Sequence, residues 1–219
     1  MKIVLFGIGS SIVVEHIESC RRLGWSVFAA IKNRPGKIYI EDEANAITLD
    51  AITPELLAYP CICPLFTPAN RAMAAREAEL LGFRFEECLI DPSAAISSTA
   101  RIDGGSYVNT ACIVGSETSI SRHVLINRGA SVGHHVQIDD CASVGPGAII
   151  GGLAVIGKGA MIGAGAIVLP EIKVGAFAVV GAGALVTRDV ACGARVMGNP
   201  ARVVETGLTR FELPGAPPG

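Results

Sequence analysis

Four histidines, His16, His123, His134 and His135, are the side chains of this sequence whose ordinary pKa lies nearest neutrality. A neutral imidazole can take the proton from an attacking amine or hydroxyl, work that typically contributes roughly 10²–10⁴-fold to a rate. His16 falls in a helical segment and His123 in a turn, and both read as structural. The adjacent pair His134-His135 reads either as a source of a general base or as solvated turn residues. A zinc hydratase would need three converging histidines. Only His123, His134 and His135 are available, and neighbours in a chain point differently. The seven cysteines are an odd count without metal-type spacing apart from Cys61-x-Cys63, which fits reduced thiols in the cytoplasm. A second chemical feature is Gly7-Ile8-Gly9-Ser10-Ser11 ahead of a helix. Such a turn binds phosphate through backbone N–H groups and the helix dipole, or is simply tight.

The elements that carry these residues follow two grammars. In the first 89 residues, Lys2 to Phe6, Ser26 to Ile31 and Cys61 to Phe66 read as strands. Ile12 to Leu23 and Pro68 to Leu81 read as helices, closed by Gly24 and Gly82. Strand, glycine turn, helix, strand is the signature of a small parallel βαβ sheet, a Rossmann-like α/β domain. From Ile90 every sixth residue as far as Val186 is Ile or Val, seventeen in succession, and the residue four places later is small, Ile172 being the largest. Helices do not make a period of six. A solenoid of parallel β-coils does, each hexad forming one flat side and a turn.

Composition agrees. Of 219 residues, 50% are apolar yet only 5% are aromatic, and 26 are glycine, more than the usual ~7%. Thin layers of Ile, Val and Ala are implied. The stretches without charge, Cys141 to Gly157 and Val174 to Thr187, fall short of the roughly 18 residues of a membrane span. A net charge of −2 with no basic half argues against nucleic acid.

This hexad repeat resembles that of the hexapeptide-repeat acyltransferases, whose fold is a left-handed parallel β-helix, an exception to the right-handed crossover rule. The order of a Rossmann-like domain (1–89), a β-helix (90–204) and a tail (205–219) is similar to the sialic-acid O-acetyltransferase and nucleotide-aminosugar N-acetyltransferase group. The likeness runs from Met1 to about Val204. Its most specific stretches are Ile126-Asn127-Arg128-Gly129-Ala130-Ser131-Val132-Gly133-His134-His135 and Gly198-Asn199-Pro200-Ala201. The resemblance implies three hexads per coil and a homotrimer with acetyl-CoA, as acyl donor, between neighbouring β-helices. It also implies a sugar or nucleotide-sugar acceptor near the N-terminal domain. It makes His134 the general base and the Gly152 amide the oxyanion donor, with Ser143, Ala164 and Ala182 on the cofactor side. Gly9, Ser10, Lys32, Asn33 and Asn70, with Arg71 beside it, become acceptor contacts.

The chain also departs from the group. Relatives commonly carry a carboxylate directly after the base, where this chain has His135, and often a second histidine at the position of Ser143. Glu117, eighteen residues before His135 and so one coil below it, about 4.8 Å away by strand spacing, is the replacement orienter suggested by register. Asp139 and Asp140 are others. The first glycine loop is short, and Lys32-Asn33-Arg34 stands where relatives carry acidic residues, so Arg34 and Lys37 suit an anionic acceptor. These departures leave two further readings: an acetyltransferase acting on an amino acid or free sugar, and a sugar-binding scaffold without chemistry.

Overall fold

Ile3 to Phe6 are fully buried, as expected of a strand covered on both faces in a parallel sheet. That strand is β1 (Lys2–Phe6), and α1 (Val13–Arg22), β2 (Ser26–Lys32), β3 (Ala46–Thr48), β4 (Cys61–Ile62) and α2 (Pro68–Leu80) follow. The computed structural model describes residues 1–40 and 46–208, so the expected tail lies outside the described residues from 209 onward. The strands form a parallel sheet in the order β3-β2-β1-β4. Helix α1 stops where Gly24 turns to φ +68° and Trp25 N–H reaches back to Cys20 O at 2.8 Å, a glycine-terminated helix end. β4 is shorter than the apolar run Cys61 to Phe66 suggests: Pro64 has no N–H to give, and Leu65 N–H bends back to Cys63 O at 2.8 Å. β3, three residues long, carries no sequence signal strong enough to announce it.

From β5 (Leu89–Ile90) to β21 (Leu185–Val186) the chain is a left-handed parallel β-helix of two-residue strands, finished by β22 (Arg195–Met197) and β23 (Arg202–Glu205). Each strand from β5 to β18 pairs with the one eighteen residues on, as in Ile126↔Val144, Val132↔Ile150 and Ile138↔Ile156, and the last coil closes two residues shorter, at Val174↔Val190 and Val180↔Val196. The coil is therefore three-sided. Face I carries Tyr107, Leu125 and Ser143 outward; face II carries Ile113, Ser131 and Ile149; face III carries Ser119, Gln137 and Val155. The hexad Ile and Val residues point inward and pack with Ala130, Ala148, Ala166 and Ala184, all buried. Ile90, Ile96 and Ile102 are only partly buried, because they sit on the first, uncapped coil. Corners are tight: a Cβ on Gly133 would lie 2.6 Å from Gly152 N in the next coil.

The N-terminal domain covers face I. Leu89, Tyr107 and Leu125 share a buried cluster with Ile3, Leu5 and Ile62. Ser19 on α1 hydrogen-bonds Asp91 Oδ2 at 2.7 Å and Tyr107 OH at 3.0 Å, and Asn109 continues the chain of bonds to Asn127 at 3.0 Å. The strongest tie is Arg71. It does not face an acceptor: it is 2% exposed, and its guanidinium donates to the carbonyls of His123, Leu65, Phe66, Cys141 and Ala142 and to Ser143 Oγ, all at 2.7–3.1 Å. Five carbonyls and one hydroxyl, from α2's own loop and two coils, hold a charge without any carboxylate. Burial lowers its pKa to about 10. Ser143, expected on the cofactor side, is likewise withdrawn from solvent. Its hydroxyl accepts from Arg71 and donates to Phe66 O at 3.0 Å.

Two histidines complete this junction. His16 donates from Nδ1 to Ile12 O at 3.0 Å and stacks on Tyr107 with ring centres 3.8 Å apart, leaving Nε2 buried without a partner. His123 packs edge-on against Phe85 with Nδ1 unpartnered. Burial lowers the pKa of His16 to about 3 and that of His123 to about 4, with Arg71 adding repulsion to both.

Two expectations follow from the junction. Arg71→Met strands the carbonyls of His123, Leu65 and Cys141, while Ala142 O keeps Leu125 N–H and Phe66 O keeps Ser143 Oγ; it should lower unfolding free energy by roughly 3–5 kcal/mol, read by denaturant titration. Because both histidines are neutral when folded but protonate near 6.5 when unfolded, stability should hold above pH 6.5. It should fall as pH drops toward 4, with a slope of up to about 1.4 kcal/mol per pH unit for each histidine. His16→Phe should flatten that slope; an unchanged slope would refute the assignment.

Candidate active site

The corner between faces II and III repeats a two-residue turn in each coil: Ser116-Glu117, His134-His135 and Gly152-Leu153 lie one above another. His135 N–H bonds Ser116 O at 2.9 Å and Leu153 N–H bonds His134 O at 2.9 Å, so the His134-His135 turn is held from below and above. The His134 ring rises toward the next coil. A Cβ built on Gly152 would meet His134 Nε2 at 2.7 Å and Cε1 at 2.8 Å. Glycine is required there because the imidazole occupies that space. The Gly152 N–H donates to no acceptor among the described residues, while its carbonyl accepts from Glu171 N–H at 2.9 Å. An imidazole nitrogen and a free backbone N–H thus meet at one exposed corner, the pairing needed to remove a proton and to stabilise an oxyanion.

Glu117 stands in the turn below, in the left-handed region at φ +59°, and its carboxylate makes no hydrogen bond to either imidazole. The atom facing His134 Nδ1 is instead His135 Nδ1, 3.1 Å away, with the two rings nearly perpendicular at 86°. The sequence reading missed this contact. Asp139 and Asp140 also lie away from the pair, Asp140 being directed to Lys158 Nζ at 3.9 Å. His123 occupies a different corner, between faces III and I, beneath Phe85, so the three histidines do not converge within one chain.

A second site lies at the carboxyl ends of β1 and β2. A cavity of about 410 Å³ is lined by Gly9, Lys32, Asn33, Arg34, Lys37 and Asn70 among others. Four of the five residues expected to contact the acceptor line it, and the fifth, Ser10, follows Gly9 directly. Arg34 is held by Glu77 at 2.8 Å, which also accepts from Asn33 Nδ2 at 2.8 Å. Lys37 Nζ sits 4.8 Å above the Tyr39 ring. Lys32 makes no ion pair among the described residues, leaving it able to meet an anion. A larger cavity, about 680 Å³, lies between α1 and β2 around Trp25 and Tyr39; its walls are mainly apolar and contain no histidine.

The two sites stand on opposite sides of the chain. The N-terminal domain covers face I, whereas His134 is at the corner opposite that face. Ala164 and Ala182, expected beside the cofactor, sit on the corner between faces I and II, linked by Gly183 N–H to Ala164 O at 2.8 Å. Within one chain they are not brought to Gly152.

Comparison with known proteins agrees with this geometry. The bacterial transferase hexapeptide family (six repeats) matches residues 153–188. No curated protein matches the chain in sequence. Among solved structures, GDP-perosamine N-acetyltransferase from Caulobacter crescentus, in complex with CoA and GDP-perosamine, superposes with a TM-score of 0.83 at 26% identity, covering 93% of this chain and 96% of that one. The acetyltransferase domain of PglB from Neisseria gonorrhoeae, in complex with acetyl coenzyme A, gives 0.82 at 26% identity over 93% and 98%. AntD, an N-acyltransferase from Bacillus cereus, shares the fold at 20% identity over 59% of this chain and 88% of that one, with a TM-score of 0.51. Among the described residues no helix is long and apolar enough to cross a membrane. With its unbroken hexads and three-sided coil, the chain carries the bacterial transferase hexapeptide repeat on a left-handed β-helix and is similar in fold to the hexapeptide-repeat acetyltransferases.

Proposed function

We propose that this enzyme transfers the acetyl group of acetyl-CoA to the amino group of a nucleotide-linked amino sugar. The observation that carries the reading is the seat of the His134 imidazole over Gly152, which puts a proton acceptor beside a free backbone donor. The acceptor's amine attacks the thioester carbonyl, and a C–N bond forms as His134 Nε2 takes the amine proton. The Gly152 N–H stabilises the oxyanion. The tetrahedral centre collapses with loss of the C–S bond, and the proton returns from His134 to the departing sulfur, giving CoA thiol. No covalent enzyme intermediate is needed. The nucleotide diphosphate belongs in the cavity of Gly9, Lys32, Asn33 and Asn70, where Lys32 and the glycine turn offer cationic and N–H partners. The two solved structures with CoA or acetyl coenzyme A, one of them also holding GDP-perosamine, support this choice of substrates.

The separation of His134 from that cavity supports a homotrimer in which the base of one protomer meets the acceptor cavity and the Ala164 and Ala182 corner of a neighbour. Face II suits such packing. Its outward row includes Ile113 and Ile149, 53% and 46% exposed, flanked by Leu153 and Leu169 on the adjoining turns.

Two experiments test the reading. A panel of nucleotide-linked and free amino sugars with acetyl-CoA, followed by thiol release, should show turnover with a nucleotide-linked amine. His134→Ala should lower kcat by roughly 10²–10⁴-fold, and Gly152→Ala should impair it by displacing the imidazole. Turnover retained in His134→Ala would sink the base assignment. Ile149→Arg on face II should convert the trimer to monomer in light scattering and abolish activity, whereas an unaltered mass would put the interface elsewhere.

A further inference from the structure

We infer that His135 is the positioning residue for His134, an imidazole standing where an anionic orienter would ordinarily hold the base, and that the pair works as a neutral dyad. This rests on the acetyl-transfer reading for its consequence in turnover, but its structural content can be tested apart from it. His134 Nδ1 and His135 Nδ1 lie 3.1 Å apart, within hydrogen-bond distance, and rings at 86° let one N–H point into the plane of the other. Between two neutral imidazoles so placed, one Nδ1 carries the proton and the other accepts it. For Nε2 of His134, the atom against Gly152, to be a free base, the proton on His134 must reside at Nδ1. His135 Nδ1 then accepts, and its own proton sits on Nε2, toward solvent. The contact thereby selects the tautomer of His134 that can accept a proton from the substrate amine.

The fold fixes this arrangement. His135 takes the second turn position, at φ +57°, a left-handed conformation in which Asn, Asp and His are the better-tolerated side chains. Its N–H is anchored to Ser116 O in the coil below. When His134 gains the substrate proton at Nε2 it becomes an imidazolium still donating from Nδ1 to a neutral acceptor. The cation is therefore stabilised by a hydrogen bond but not by a full opposing charge, so the proton is readily surrendered to the leaving sulfur. The other ionisable groups at this corner are Glu117 in the turn below, Glu171 two coils above, and Asp139 beyond the following strand. None of them is hydrogen-bonded to either ring.

The test uses His135→Ala, His135→Asn and His135→Asp in the full-length protein. The alanine variant should lose about 10- to 100-fold in kcat at unchanged KM, a part of what a positioned base contributes. Asparagine, which suits the left-handed turn and offers a neutral amide oxygen, should restore most of the rate with an unshifted pH profile. Aspartate should restore rate and move the acidic limb to higher pH, since its charge favours the imidazolium. Independently of turnover, ¹⁵N-histidine labelling gives the imidazole signals of the sequence's four histidines. Wild type should show His134 protonated at Nδ1 and bare at Nε2, with that preference lost in His135→Ala. A His134 protonated at Nε2 in wild type, or His135→Ala with wild-type kcat and pH profile, would overturn the inference. If no acceptor on the panel is consumed while the tautomer is as expected, the reading of function fails and the dyad stands.

Discussion

Everything in this molecule depends on the eighteen-residue repeat of backbone hydrogen bonds. Each coil donates to the one above at the same three places, as in Ser131 N–H to Ala148 O and Gly133 N–H to Ile150 O. Side chains separated by eighteen residues are therefore stacked within about 4.8 Å of each other. Nothing but small or β-branched residues fits inside a coil so narrow. Because the register never slips between Ile90 and Val186, a corner residue has a defined neighbour above and below. The seat of His134 against Gly152 is a direct result: the imidazole of one coil fills the space that a side chain of the next would otherwise occupy.

The same regularity limits what one protomer can do. A three-sided prism separates its faces, and the N-terminal domain is committed to face I by Arg71, Ser19 and Tyr107. Its basic cavity and the histidine corner then point in opposite directions. Arg71 is unusual in being held by neutral oxygens, five carbonyls and the Ser143 hydroxyl, an arrangement in which partial charges from three segments offset the loss of water around the guanidinium. Burial beside Arg71 keeps His16 and His123 neutral, so among the described residues the guanidinium is the one buried cation of this part of the junction. That leaves the docking angle of the two domains set by hydrogen bonds of fixed direction, a rigid mount for the cavity at the ends of β1 and β2.

Residues can be assigned to the wrong task when only their type and position along the chain are known. Arg71 and Ser143 illustrate this. Arg71 follows Asn70 at the start of a helix beside a basic loop, so an acceptor contact is the natural expectation, yet one helical step turns it from the cavity into the domain interface. Ser143 lies on an outward position of the coil, but face I is the covered face. A signal for that existed: the outward row at eighteen-residue spacing reads Leu89, Tyr107, Leu125 before it reaches Ser143, an apolar stripe that asks for a partner. By the same logic Ile113 and Ile149 mark face II as a second apolar surface.

The period of six and its phase were written in the sequence, because a narrow parallel coil accepts Ile or Val inside and small residues at the corners and little else. From that period a solenoid of parallel β-coils was legible; the three-sided coil, and with it the stacking of Glu117, His134 and Gly152 on one side of successive coils, came with the resemblance to the hexapeptide-repeat acyltransferases. The cluster of Gly9, Lys32, Asn33 and Asn70 was legible too, since strand ends and the loops that follow them converge in any parallel sheet. The rest was decided by tertiary structure. The apolar row Leu89, Tyr107 and Leu125 marks a face that needs covering, but how the N-terminal domain sits on it depends on contacts among residues far apart in the chain, Ser19 with Asp91 and Arg71 with His123 and Cys141. The partner of His134 was likewise settled by side-chain direction. Register brought Glu117 near, but the left-handed turn at His135 aimed a neighbouring imidazole at His134 Nδ1.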